Sequence, residues 1–251
     1  MYFTEGALAQ LAEGLGELDE KYLQICEPYL TRAYVSDRGR EFGQQGFARR
    51  LQSLKRCIER IYEILPPESE EHPDDDARHD AELIVQAFVF HIFGAADNLA
   101  WIWVCEKNIR RADGAELAQS AVGIRKEAVR RSFTDRFRAL LDERADWFTY
   151  LESFRHSLAH RIPLYIPPYV VTHANEAAYR EFDVRMAQAA ARGDFREREN
   201  LKRQQKGLTS FRPWMQHSFV EEAHPMVFHV QMLADFNTVH EMALMLLDDL
   251  A

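Results

Sequence analysis

The stretch from Leu83 to Cys105, LIVQAFVFHIFGAADNLAWIWVC, is apolar on nearly every helical face over roughly 23 residues. A run of that length either crosses a bilayer or fills the centre of a large core. Gln86, His91, Asp97 and Asn98 lie inside it, and a carboxylate at mid-bilayer depth costs about 2.5 to 3.5 kcal/mol or more. The run is therefore read as the buried central helix of an all-α bundle, over about residues 77–110, and no membrane is expected. Asp74, Asp75 and Asp76 precede it, where carboxylates meet unsatisfied amides and the positive end of the helix dipole. Asp97 and Asn98 then need partners, because an unsatisfied buried polar group costs roughly 1 to 3 kcal/mol. Both are structural residues by default and site candidates second, and His91 is expected to be a satisfied core histidine.

On either side of this helix glycines are few, and Ala, Leu, Glu, Arg and Gln recur at helical spacing, which predicts helices joined by short connections. Residues 5–34 predict one or two helices broken near Gly14, Gly16 and Pro28. Residues 41–65 predict another, ended by Pro66 and Pro67. An acidic segment from Glu68 to Asp80 links it to the central helix. Downstream, residues 114–123 predict a short helix and residues 125–144 an Arg-rich one. In ADWFTYLESFRHSLAHR, residues 145–161, Trp147, Leu151, Phe154 and Leu158 form one apolar stripe, and Pro163 stops the helix. IPLYIPPYVV, residues 162–171, is extended. Residues 174–206 predict a charged helical hairpin bent at Gly193 that protrudes or meets a partner. Pro225 to Leu250 predict a closing helix with its proline in the first turn.

Composition narrows the function classes. With 251 residues and 47% hydrophobic content the chain can bury a sizeable core without staples. Cys26, Cys57 and Cys105 are odd in number and far apart, so neither a disulfide framework nor a cysteine zinc site is indicated. The N-terminal residues carry acid where a secretory signal carries positive charge, so a reducing, cytoplasmic location is expected. A net charge of −9 argues against non-specific coating of duplex nucleic acid. The basic segments Arg125 to Arg144 and Arg192 to Lys206 are expected to be solvated helix faces. No Gly-rich phosphate loop, GxSxG elbow, HExxH or EF-hand loop is present. Phe88, Phe90, Phe93, Trp101 and Trp103 are assigned to packing.

Late on the amphipathic helix, Arg155-His156-Ser157-Leu158-Ala159-His160 resembles the Arg-x4-6-His signature of the HEPN superfamily, α-helical bundles that are often metal-independent ribonucleases. The setting resembles the family too: a long buried helix carrying Asp97 and Asn98 comes first, then the motif. A second Arg-x4-His, Arg212 with His217, is followed by Pro213 and lacks that setting. The position after Arg155 is His156, where the family commonly has a small polar residue; a hydrogen-bonding group is retained. The resemblance covers about residues 77–165 and can be extended to the closing helix. A single all-α domain is expected, with the HEPN-like core at 77–165 and a closing helix (223–251); the N-terminal helical extension (1–65) and the helical insert (166–222) lie outside the resemblance.

For function, the resemblance implies an endoribonuclease or RNA-binding module of a toxin or defence system, with RNA as substrate and an antitoxin or other protein as partner. Arg155 and His160 would be catalytic in 2′-hydroxyl attack on the adjacent phosphate, supported by Glu152, His156, Asp97 and Asn98, with no metal and no cofactor. Tyr165 and Tyr169 are assigned to the substrate groove on chain proximity. Five residues on a helix turn about 140°, so Arg155 and His160 meet only if the helix loosens before Pro163, the arginine reaches around, or a twofold homodimer pairs one with the other. Two other readings use the same chain. Glu152, His156 and His160, spaced by four, share a helix face and have the chemistry of a metal site to be completed by Asp97 or another histidine. The third is a helical interaction protein without catalysis.

Overall fold

A computed structural model describes residues 2–218 and 225–251. The protein is all-α, with helices grouped on one continuous core. Thr4 starts α1 (Glu5–Gly16) by accepting from the amide of Ala7 at 3.2 Å, and α2 (Leu18–Thr31) begins after Glu17 alone. The expected break at Gly16 is there. Pro28 makes none: it lies near the last turn of α2, where a missing N–H forfeits one bond only.

Ser36 accepts from the amide of Gly39 at 3.0 Å and opens α3 (Asp37–Arg40). The helix runs on through a π-helical segment, Glu41–Phe47, into α4 (Ala48–Ile64). Two glycines adapt the wider turns to their neighbours. A Cβ at Gly43 would overlap the Tyr34 hydroxyl, which donates to the carbonyl of Tyr29 at 2.6 Å; a Cβ at Gly46 would come within 2.8 Å of Asn98 Nδ2. Phe42 of this segment stacks on Trp101 at 4.7 Å. Gly43→Ala is expected to destabilise the fold by about 1 to 3 kcal/mol through overpacking, read as a lower urea midpoint with an unchanged slope; an unchanged midpoint would mean that Tyr34 simply swings away.

Asp74 accepts from the amide of Ala77 at 2.7 Å and starts α5 (Asp75–Glu106). By length and composition α5 could cross a membrane; here it is the central element, packed by α4 and the π segment, with Phe88, Val89, Ile92, Leu99 and Ile102 fully buried. Beyond it, two expectations are corrected. Residues 114–123 hold no α-helix, only a 3-10 turn at Gln119–Ala121: Gly114 adopts a φ of 82°, and after the turn Val122 has an extended backbone, with Val122, Gly123 and Ile124 buried in succession. Residues 125–144 form two helices, α6 (Glu127–Arg130) and α7 (Asp135–Glu143), because the Thr134 hydroxyl caps a new start by accepting from the amide of Phe137 at 3.2 Å.

In α8 (Ala145–His160) the buried face is Phe148, Leu151, Phe154 and Ser157, with Trp147 and Leu158 at its margins, so the stripe is turned slightly from the expected one. Residues after Pro163 are extended, with β1 (Val170–Val171) antiparallel to β2 (Thr209–Ser210). Between them α9 (Glu176–Ala191) and α10 (Phe195–Lys206) form the hairpin, turned at Gly193 with a φ of 74°. Its buried residues Ala189 and Leu201 do not join the main core. Pro225 is not in the first turn of the closing helix. It precedes β4 (Met226–Val227), which pairs with β3 (Trp214–Met215), and α11 starts later (Phe228–Leu250), packing across α5, α2 and α4.

Two ionisable side chains lie deep in this packing. The Asp235 carboxylate on α11 accepts from Trp147 Nε1 at 2.8 Å, Tyr150 Oη at 3.3 Å and Gln231 Nε2 at 2.6 Å. His229 Nε2 donates to the carbonyl of Leu65 at 2.6 Å, with the ring against Tyr62 and Phe228.

Candidate functional site

Phe93 and Asp97 are one turn apart on α5 and face α8. Arg155 crosses from α8 with its guanidinium 4.9 Å from the Phe93 ring centroid, a cation–π contact that fixes the head group while leaving its N–H edge available. The chain at Gly123, Arg125 and Lys126 forms a third wall. Together these enclose an open cavity of about 770 Å³, lined also by Glu152, His156 and Arg161. A Cβ on Gly123 would meet Asp97 Oδ1 at 3.4 Å, so the carboxylate lies against this wall. Burial pushes the Asp97 carboxyl up to about 6, opposed by Arg155 and, less strongly, by Arg50 and Lys126. It is thus poised to change protonation near neutral pH. Arg125 Nη1 is 3.1 Å from Glu152 Oε1, an exposed pair at the rim.

Arg50, on α4, does not line the cavity but acts on the charge of Asp97, and sequence reasoning misses it. Its Nε donates to Asn98 Oδ1 at 2.9 Å and its Nη1 lies 3.4 Å from His91 Nδ1. The guanidinium passes directly over Gly94, where a Cβ would overlap it. Burial, then Arg50, lower the pKa of His91, which keeps the ring neutral and able to accept. The local signal for this residue is Gly94: a glycine inside a core helix costs about 0.5 to 1 kcal/mol relative to alanine and marks a close approach. Among the described residues neither Arg50 nor Arg155 has a carboxylate oxygen within 4.0 Å.

Of the expected site residues, Arg155, Glu152, His156 and Asp97 line the cavity together. Asn98 is buried on the side facing α4 and holds Arg50. His160 is exposed, does not line the cavity, and has its ring 5.2 Å from that of His156. The expected loosening does not occur: α8 is unbroken through His160, so Arg155 and His160 project about 140° apart within one chain. Tyr165 and Tyr169 do not line this cavity. The chain carries them away: Tyr165 pairs with Gln216, and the Tyr169 hydroxyl is 2.8 Å from that of Tyr179 on the hairpin.

The second Arg-x4-His is also split. Arg212 lies over Tyr2, whereas His217 is buried against Phe154 with Nδ1 3.0 Å from Ser157 Oγ, behind the first motif. Glu152 is engaged by Arg125, and among the described residues no three His, Cys, Asp or Glu side chains gather to hold a metal ion. No family model, curated protein or solved structure matches the chain.

Proposed function

We propose that this protein binds single-stranded RNA and cuts it without metal, as a HEPN-type helical endoribonuclease. The observation that supports this most is Arg155: a half-buried guanidinium, free of any carboxylate partner among the described residues, beside Asp97 and His156 in an open cavity. A planar, permanently charged fork suits the non-bridging oxygens of a phosphodiester and the charge that grows on them during attack. In the proposed step the 2′-hydroxyl oxygen attacks phosphorus as its proton passes to a histidine; the P–O5′ bond breaks, the 5′-oxygen gains a proton, and the products are a 2′,3′-cyclic phosphate and a 5′-hydroxyl. An imidazole, which can both accept and donate a proton, serves both transfers.

Because His160 lies outside the cavity of its own chain, the proposal includes a twofold homodimer in which His160 of one copy serves Arg155 of the other. The same resemblance supports a toxin or defence setting with a protein partner that controls the site. Mixing Arg155→Ala and His160→Ala chains tests the dimer. A site shared between copies leaves one intact site in each mixed dimer, so about a quarter of wild-type cleavage should return. No recovery, or a monomer of full activity by light scattering, would remove the shared site. Cleavage should also persist in EDTA; its loss together with helicity would favour the metal reading at Glu152, His156 and His160. RNA binding without cleavage is the second reading, favoured by the position of His160, and wild-type protein that retains RNA but never cuts it would establish it.

A further inference from the structure

We propose that Arg50 is a second phosphate-binding residue, taking a backbone phosphate of the RNA chain next to the one held at Arg155. This rests on the RNA reading for the identity of the ligand, but not for the existence of the anion site.

Arg50 is held by one face of α5. His91, Gly94 and Asn98 fall at i, i+3 and i+7 on that face, and the guanidinium lies along it. Asn98 orients Nε and His91 orients Nη1, while Gly94 provides the space between them. Both partners are neutral, so the positive charge is positioned without being neutralised. Arginine carries five N–H donors, and these two contacts leave the others, including both on Nη2, without a protein partner among the described residues. No Arg50 nitrogen is among the buried polar atoms without a partner, so these remaining donors reach solvent. Asp97 feels both cations, Arg155 from α8 and Arg50 from α4. An RNA strand with successive phosphates on the two arginines meets the field of this carboxylate, which burial already inclines toward its neutral, non-repelling form.

The geometry supplies an unusual control. Gly94→Ala keeps every charge and favours helix, yet its methyl group occupies the place of the guanidinium and must displace it. Arg49→Ala removes one exposed charge from the neighbouring position of α4 without touching the cluster. Full-length protein and a fluorescent single-stranded RNA are titrated by anisotropy across a salt series. Arg50→Ala and Gly94→Ala should each weaken binding by about 10- to 100-fold. Arg50→Ala should also reduce the slope of log affinity against log salt by about 0.7, the value for one phosphate on a single strand. Arg49→Ala should do neither. Arg50→Ala behaving like Arg49→Ala overturns the proposal. If wild type binds no RNA, thermal stability in inorganic phosphate decides: stabilisation lost in Arg50→Ala but kept in Arg49→Ala upholds the anion site while the RNA reading falls, and stabilisation equal in both removes the site as well.

Discussion

Replacing Arg155 by lysine is expected to lower RNA cleavage almost as far as replacing it by alanine, by about 10²- to 10³-fold, the usual loss for removing one preorganised stabiliser of transition-state charge. Lysine preserves the charge but not the fork, and its compact ammonium cannot lie flat over Phe93 while presenting two parallel donors to phosphate. His160→Ala should abolish cleavage and leave RNA affinity largely intact, because the proposed mechanism gives proton transfer and phosphate binding to different side chains. Arg212→Ala is the internal control. Arg212 lies over Tyr2 and Trp214, away from the cavity, and its loss should leave cleavage unchanged. Equal losses in Arg155→Ala and Arg212→Ala would show that the wrong motif carries the chemistry. Matched melting temperatures keep these comparisons separate from folding.

The second large effect is on stability. Burial pushes Asp235 up to about 7 from 3.8, against the pull of hydrogen bonds from Gln231, Trp147 and Tyr150. The folded protein therefore holds a proton that the unfolded chain has released, and this residue's contribution to stability falls as pH rises from about 4 to about 7. His229 acts the other way. Burial lowers it to about 4 from 6.5, so the unfolded chain binds a proton that the folded protein refuses, and stability falls as pH drops from 6.5 toward 4. The two largely cancel in the wild type over that window.

Single variants should expose each. Asp235→Asn keeps an acceptor for Trp147 and Gln231 but cannot titrate; relative to wild type it should gain on the order of 4 kcal/mol between pH 4 and 7.5, at about 1.4 kcal/mol per pH unit. Asp97, also raised, has the same sign as Asp235 and is present in both proteins, so it drops out of the difference. His229→Gln should show the opposite trend, improving relative to wild type as the solution is acidified. Urea denaturation at the two pH values measures both. A constant difference between wild type and Asp235→Asn would mean that Asp235 stays ionised, its three donors outweighing burial.

Much of this architecture is dictated by local chemistry visible in the chain. The run at Leu83 to Cys105 is too apolar to lie anywhere but the centre, Asp74 caps the helix that contains it, and Gly193 supplies the left-handed turn of the hairpin. The departures share a cause. Residues 114–123 have helical composition, but the stretch Val122, Gly123 and Ile124 is drawn inward as a whole, and that pull comes from the core. Pro225 has the local marks of a helix start, and nothing near it in the chain reveals that Met226 will pair with Met215. At the site, Asp97 is legible as a polar residue inside an apolar run, and Arg155 as part of the Arg-x4-His segment. Arg50 is not, since its partners lie 41 and 48 residues away and only the fold introduces them. Tyr165 and Tyr169 are near His160 only along the chain, and a single extended stretch undoes that closeness.

The π-helical stretch Glu41–Phe47 also acts as a phase shifter within one helical rod. An α-helix advances about 100° per residue, and wider turns absorb residues without advancing the azimuth in proportion. The segment therefore lets two stations on the rod look at the same helix: Arg38 and Phe42 meet Trp101, and Arg50 meets Asn98 and His91. Rewound as regular α-helix with every residue kept, the rod would turn by about one residue more between the stations. The two stations would then be out of step by about 100°, so that if Trp101 kept its partners, Arg50 would be aimed a quarter-turn away from α5. The spacing between the aromatic stack and the cationic site is thus encoded as an angle, and excising one residue of the segment, such as exposed Gln45, while the rod rewinds as α-helix would keep both stations turned toward α5 and shorten only the distance between them along the rod, by about 1.5 Å.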